Sequence, residues 1–542
     1  MRISPTPPRN EAVLLYAPGS PERAQLRAAL TGMEASAPHR MYQHIGGEAG
    51  EGSGEPIQVK APHRHELVLG EARQASSRDV TRAVSAALAA WGTWSTEPFE
   101  NRAAVFLRAA DLLSGPWRAR LNAATILGQS KSVHQSEIDA ACELIDFWRW
   151  NVHFAERLQE GQPVSSPGVL NRLDYRPLEG FVLAITPFNF TSIAGNLPTA
   201  PAILGNVVVW KPATTQLLAA HVIMELLEAA GLPPGVINLV AGPGAAVSEA
   251  AVHHPALAGI HFTGSTDTFR HLWSSVSANL DQYRTYPRLI GETGGKDFVL
   301  AHRSASHEAL LVGLLRGAFE YQGQKCSAAS RAYVPNSLWR QLREPLAAAT
   351  EAIPVGDPAE FNTFMGAVID EPSFRKHEAA MTAARSDPRL TLVAGGECDD
   401  SVGWFVHPTI YATDDPRHDL MQRELFGPIL TVYPYEDSEW ESVLELVNTT
   451  SPYGLTGAVF ANDRRAIEQA SAHLRHAAGN FYVNDKPTGA VVGQQPFGGG
   501  RLSGTNDKAG SELNLTRWVS ARAIKETFVP PTDWRYPHQD PE

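Results

Sequence analysis

Between residues 181 and 263 short, unbroken apolar runs alternate with longer segments of helical period. The runs are FVLAI (181–185), NVVVW (206–210), GVINLV (235–240) and GIHFT (259–263), and QLLAAHVIMELLEAAG is one of the segments between them. A strand covered on both faces reads as a continuous apolar run, and helices alternating with such strands imply parallel crossovers. The pattern predicts a doubly wound α/β sheet, whose ligands bind beyond the carboxyl ends of its strands.

A second α/β series begins near residue 290, with AYVP, LTLVAG, PILTVYPY, GAVFA and NFYVN as strands and SLWRQLREPLAAATEAI and DRRAIEQASAHLRHAAG as helices. The first 150 residues add Ala-rich helical stretches around a Gly-rich acidic segment, IGGEAGEGSGEPI (45–57), read as a loop. Two stretches, SSPGVLNRLDYRPLEG (165–180) and ELNLTRWVSARAIKET (512–527), alternate polar and apolar residues as exposed or intermolecular strands do. The expected organisation is a discontinuous first domain (1–150 and 181–290), a second domain (291–505), and a flap and tail (151–180 and 506–542).

Composition narrows the partners. With 46 Lys+Arg against 58 Asp+Glu, the formal charge of -12 disfavours nucleic acid and anionic membrane, which demand a cationic surface. No apolar run approaches a membrane span, and the N-terminus lacks the apolar core of a secretory signal and the acid-poor character of a transit peptide. The 3 cysteines, Cys142, Cys326 and Cys398, are too dispersed for a disulfide framework or a zinc site and suit a reducing compartment, so the expected location is the cytoplasm. PHRHE (62–66) lacks further ligands and reads as a solvated loop; no metal is expected.

Several turns carry candidate chemistry, each with a structural alternative. GPGAAV (242–247) has valine where a dinucleotide fingerprint has its third glycine and reads as well as an ordinary βα turn. Gly264 and Ser265 stand between a strand and a helix, where backbone N–H groups receive a phosphate, although Ser265 is also an ordinary N-cap. Lys211 ends an apolar run and can reach a ribose or snorkel to solvent. Cys326, in GQKCSAASR, is flanked by small and polar residues rather than an apolar run, as a reactive thiol is. A thiolate attacking a carbonyl needs an amide donor for the oxyanion and a base. Asn189 in ITPFNF can supply the first and Glu292 in ETGGK the second; a turn asparagine and a loop acid are the alternatives.

In order, ITPFNF, WKPA, FTGST, ETGGK, GQKCSAASR, ELFGPIL and QQPFGGG resemble the aldehyde dehydrogenase superfamily over roughly residues 60 to 528. The resemblance implies a Rossmann-type cofactor domain, a catalytic domain and a β-flap for homo-oligomerisation as a dimer or higher. It makes Cys326 the nucleophile, Asn189 with the Cys326 N–H the oxyanion donor, and Glu292 the base that hydrolyses a thioester. Thr186, Phe188, Lys211, Gly264, Ser265, Glu424 and Phe426 become the cofactor-binding residues, for NAD. Thr214 stands where some NAD-specific relatives carry an acid, which leaves NADP open. A free thiol has a pKa near ~8.5, so Cys326 is expected to be activated by its surroundings or by bound cofactor.

Two flanking segments, GQSKSVHQSEIDAACELIDFWRWN (128–151) and KPTGAVVGQQPFGGGRLSGTNDK (486–508), resemble the Δ1-pyrroline-5-carboxylate dehydrogenases, which oxidise L-glutamate γ-semialdehyde in proline catabolism. That resemblance assigns the substrate carboxylate to Ser327 and the N–H groups of Gly489 and Ala490. It assigns the ammonium to Glu137 and the methylenes to Phe190 and Phe497. The chain departs from the pattern at Ala490, where serine is expected, and at Asp297, where asparagine is usual. The alternative within the fold is a dehydrogenase of another semialdehyde, such as succinic semialdehyde. A CoA-acylating relative would not need Glu292, a cysteine hydrolase would need a histidine set against Cys326, and a non-enzymatic protein would leave this machinery idle.

Overall fold

The computed structural model describes residues 6–541. Two seven-stranded sheets organise it. The first runs, in spatial order, Arg288–Glu292, Leu257–Thr263, Phe181–Ile185, Val207–Lys211, Ile237–Leu239, Gln43–Ile45 and Glu48–Gly50. Its first five strands are parallel, and the last two add an antiparallel edge. Phe181–Ile185 and Leu257–Thr263 are buried throughout, because helices cover both faces. The strand that follows Phe181–Ile185 lies on one side of it and Leu257–Thr263 lies on the other. The crevice at this reversal of winding is where a doubly wound sheet takes its ligand.

The second sheet runs Leu390–Ala394, Thr409–Thr413, Ile429–Tyr435, Ala329–Pro335, Asp297–Ala301, Thr456–Phe460 and Asn480–Val483, parallel except at the Leu390–Ala394 edge. The apolar core around the first sheet gathers residues from Tyr16 to Ile290 together with Leu515, Trp518 and Val519; separate clusters between Phe298 and Ala477 surround the second. The chain crosses between sheets at Thr293–Lys296, immediately after Glu292.

Three expectations change. The flap is narrower than 151–180 and 506–542: it is the antiparallel pair Val169–Pro177 and Val519–Thr527. Residues 151–160 continue the helix Glu143–Glu160, and Val152, Ala155 and Leu158 belong to the first core, as do Leu515 and Trp518. The Gly-rich segment 45–57 is not simply a loop, since Glu48–Gly50 pairs with Gln43–Ile45 at the sheet edge and Pro56–Ala61 pairs with Arg64–Arg73. PHRHE is not solvated either. His63 is 1% exposed, lies 3.4 Å from Asp357 and is pushed down to about 4 by burial. Among the described residues no cluster of His, Cys, Asp or Glu could hold a metal, and no helix is long and apolar enough to cross a membrane.

Candidate active site

A cleft of about 750 Å³ opens at the carboxyl ends of Phe181–Ile185 and Leu257–Thr263. Thr186, Phe188, Asn189, Lys211, Gly264, Ser265, Cys326, Glu424 and Phe426 all line it. Thr186 is fixed by the Trp210 indole N–H, which donates to its hydroxyl at 3.0 Å. Lys211, the last residue of its strand, is half-buried, and burial lowers its pKa. The Gly264 N–H donates to the Glu292 carbonyl at 3.1 Å, and the Ser265 hydroxyl accepts from the Thr268 N–H at 3.2 Å. Gly264 is therefore not a free anion donor as expected; the N–H groups that follow it, at the start of the helix Thr266–Ala278, are the ones placed to meet a phosphate.

At the far end, Phe426 (φ 58°) is held in the left-handed region and meets Phe188 edge-on, with ring centroids 5.9 Å apart. Glu424 accepts from the Gly295 N–H at 2.8 Å. The ETGGK glycines answer to close approach: a Cβ on Gly294 would lie 2.0 Å from a Glu424 carboxylate oxygen, and one on Gly295 2.2 Å from the Cys326 carbonyl. Any larger residue would push the crossing strand off both groups.

Cys326 follows three consecutive left-handed residues, Tyr321 (φ 51°), Gln322 (φ 57°) and Gly323 (φ 64°). Strain of this kind persists only where the surroundings over-determine it. Gln322 donates to the Ser130 and Ala367 carbonyls at 2.9 and 2.8 Å, and Gln324 accepts from the Ile369 N–H at 2.9 Å. Asn189, 4% exposed, spends one N–H on the Gln324 carbonyl at 3.0 Å, which leaves its second amide hydrogen to the cleft. Cys326 itself is half-buried.

Behind Cys326 lies a second, narrow cavity of about 50 Å³. Cys326 and Ile193 line both spaces. Glu292, Phe190, Ser327, Gly489, Ala490 and Phe497 line the small cavity, so the predicted base and most predicted substrate residues meet there. The Ser327 hydroxyl is 2.7 Å from that of Thr488, and the Gly489 and Ala490 N–H groups meet no acceptor among the described residues.

Glu137 is the exception. Fully buried, it is ion-paired to Arg118 and accepts from the Tyr16 hydroxyl (2.7 Å), the Leu14 N–H (2.9 Å) and Asn122 (2.9 Å). With both oxygens satisfied it has nothing to offer a ligand, and it does not line the cavity. The acids that do are Asp139 and Glu143. Asp139 pairs with Lys131 at 2.7 Å and with Lys325 at 3.5 Å; although burial pushes it up, these amines hold it below the ordinary carboxylate range. Glu143 accepts from the Ser192 hydroxyl, and burial together with Asp139 pushes it up to about 8. Sequence reading missed these groups because residues 137–142 form a π-helix, which rephases the face ahead of Glu143–Glu160. The i, i+4 spacing of Asp139, Glu143 and Phe147 was the available signal.

Burial raises the Cys326 thiol well above its usual range, and Glu292, Asp297 and Glu424 add to the effect. Of the two expected sources of activation, the protein surroundings raise the thiol rather than lower it, which leaves the bound cofactor. Burial also lifts Glu292 to about 8, with Lys508 opposing and Asp507 assisting, and holds Asp297 well above its usual value. A base must be ionised to accept a proton, so a step limited by Glu292 speeds up as pH rises through about 8. The rising limb of a kcat–pH profile is expected near that value and should vanish in Glu292→Gln; a limb unchanged in the variant would assign it elsewhere.

A partly accessible thiol, a held amide and a buried carboxyl facing one junction of two cavities can add to, stabilise and hydrolyse an acyl group. The family model for the aldehyde dehydrogenase family matches residues 49–524. The chain belongs to the aldehyde dehydrogenase family. This aldehyde dehydrogenase is 50% identical to the mitochondrial Δ1-pyrroline-5-carboxylate dehydrogenase of Bos taurus over 530 residues, 98% of this chain and 94% of that protein. A structure of the Δ1-pyrroline-5-carboxylate dehydrogenase of Mycobacterium tuberculosis bound with NAD superposes with a TM-score of 0.96 at 57% identity, covering 100% of this chain and 99% of that one. The Thermus enzyme with bound NAD gives a TM-score of 0.91 at 32% identity, covering 97% and 100%. As an aldehyde dehydrogenase, the chain places its family motifs at the carboxyl ends of the first sheet and at the seam between sheets.

Proposed function

We propose that this aldehyde dehydrogenase oxidises L-glutamate γ-semialdehyde, the open form of Δ1-pyrroline-5-carboxylate, to L-glutamate with NAD. The observation that carries the reading is the small cavity beside Cys326, whose lining combines acids, a serine and backbone N–H groups with the aromatic rings of Phe147, Phe190 and Phe497. Ser327 and the Gly489 and Ala490 N–H groups suit a carboxylate, Phe190 and Phe497 suit the methylenes, and Glu143 rather than Glu137 suits the ammonium. A cationic ligand favours the ionised form of Glu143, so binding would release its proton.

The large cleft suits a dinucleotide: Lys211 and Glu424 in its lining offer polar groups for the riboses, and the N-terminus of Thr266–Ala278 offers donors for a pyrophosphate. When bound, NAD supplies the hydride acceptor that turns the thiohemiacetal into a thioester. The Cys326 thiol gives up its proton to solvent as its sulfur bonds to the aldehyde carbon, and the oxygen that becomes negative would face the Asn189 amide and the Cys326 N–H. Glu292 then takes a proton from water as it attacks the thioester; the carbon–sulfur bond breaks, and the thiolate and glutamate part.

The test compares pyrroline-5-carboxylate with succinic semialdehyde, which lacks the ammonium. The wild-type protein should prefer the former. Glu143→Ala should lower kcat/KM for it about 10–100-fold, as loss of a charged hydrogen bond does, and leave succinic semialdehyde nearly unchanged. Equal turnover of the two aldehydes by wild type would reject the substrate.

A homo-oligomer is supported by the flap, whose tail exposes Phe528, Val529, Trp534 and Tyr536, and sedimentation velocity tests it. The cytoplasmic reading rests on three free cysteines; the bovine relative is mitochondrial by its name.

A further inference from the structure

The segment before the first helix, residues 10–16, is fastened along the element that carries Asp139 and Glu143. Its Leu14 N–H and Tyr16 hydroxyl hold Glu137, and its Glu11 N–H donates to Asp146 at 2.7 Å. Asn10 makes contacts of another kind. Its amide N–H groups donate to the Asp146 carboxylate at 2.8 Å and to the Val492 carbonyl at 2.8 Å, and its oxygen accepts from the Gln494 side chain at 3.0 Å. One side chain thus joins the helix Glu143–Glu160 to the loop 486–497.

Both of those elements line the small cavity. The helix contributes Glu143 and Phe147, and the loop contributes Gly489, Ala490 and Phe497. The loop also rests directly on the helix. Gly493 (φ 79°) approaches Trp150 so closely that a Cβ would stand 2.4 Å from the indole. The Gln494 and Gln495 N–H groups close a turn on the Val491 carbonyl, both at 3.0 Å. That packing sets how far apart the two elements sit, and the Asn10 tether sets where along the helix the loop is anchored.

We propose that Asn10 is a positioning residue for substrate selection, fixing where along the helix the donors for a carboxylate stand relative to the acid for an ammonium. This rests on the amino-acid-aldehyde reading above. An aldehyde with an α-amino acid end must touch helix and loop together. A plain short aldehyde such as propanal touches neither polar side and needs only Cys326, Asn189 and the aromatic walls. Loosening the tether therefore penalises the first and spares the second.

The experiment measures steady-state kinetics of the full chain with pyrroline-5-carboxylate and with propanal, for wild type, Asn10→Ala and Gln494→Ala. Asn10→Ala should raise KM for pyrroline-5-carboxylate about tenfold, the size that loss of two or three net hydrogen bonds supports, with kcat within about twofold and kcat/KM for propanal unchanged. Gln494→Ala, which cuts only the loop side, should move in the same direction by less, and it decides the matter if Asn10→Ala does not fold. Parallel changes for both aldehydes, or no change for either, overturn the positioning role. Wild type that turns over propanal but not pyrroline-5-carboxylate overturns the substrate reading instead.

Discussion

Cys326→Ala is expected to form no NADH with any aldehyde, while the protein melts within about 0.5 kcal/mol of wild type. Both halves follow from where the thiol sits. Its sulfur is half-buried at the junction of the two cavities rather than packed in a core, so removing it leaves no sealed void. The loop's shape comes from Tyr321, Gln322 and Gly323 and from the Gln322 and Gln324 hydrogen bonds, none of which uses the sulfur. No other thiol can substitute: Cys142 is buried beside Glu137 and Arg118, and Cys398 lies on a short strand away from the cleft. NADH formation by the variant, followed spectrophotometrically with pyrroline-5-carboxylate, would remove the covalent route altogether.

Asn189→Ala is expected to lower kcat by about 10²–10³, the usual effect of losing one oxyanion donor. Its amide is held by the Gln324 carbonyl, so the donor is oriented before substrate arrives and spends no energy on reorganisation. KM should change far less, since the ground-state carbonyl gains little from a donor placed for a negative oxygen. Asn189→Asp should be at least as slow, because it puts an acceptor where a donor is needed. A fall in kcat/KM carried wholly by KM would reassign Asn189 to substrate binding.

Asp297 departs from the asparagine usual at its position, and its surroundings account for its tolerance. It accepts from the Thr456 N–H at 2.7 Å through one oxygen, and its other oxygen has no partner. Burial pushes its pKa well above the usual carboxylate range, which favours the form with a hydrogen on one side and an acceptor on the other, as an asparagine amide has. Its place beside the Cys326 carbonyl, where a Cβ on Gly295 would lie 2.4 Å from one of its oxygens, leaves no room for a charged group's solvation.

Much was legible along the chain. The buried parallel strands announced themselves as unbroken apolar runs because both of their faces are covered, and the order of small motifs marked the turns at their carboxyl ends. Cys326, Asn189 and Glu292 stood out as candidates through the ordered motifs that resemble the aldehyde dehydrogenases, since each alone also reads as a free thiol, a turn asparagine or a loop acid. The edge strands Gln43–Ile45 and Glu48–Gly50 were not readable, since a short strand paired on its edge needs no apolar run and glycines mask it. Nor was Glu143, which lines the small cavity. Glu137 and Glu143 lie on one helical stretch six residues apart, which in a regular helix points them in different directions, and a π-turn between them alters that phase.

Periodicity and local chemistry are properties of neighbours in sequence, so the chain alone was enough to suggest the two sheets, their turns and three candidate reactive residues. Which carboxylate is spent on Arg118 and which is left beside the cavity depends on a segment more than a hundred residues away, and so does the tether from Asn10 to the loop at Val492. Burial and long-range pairing determine a charged group's role, and these exist only once the chain has folded upon itself.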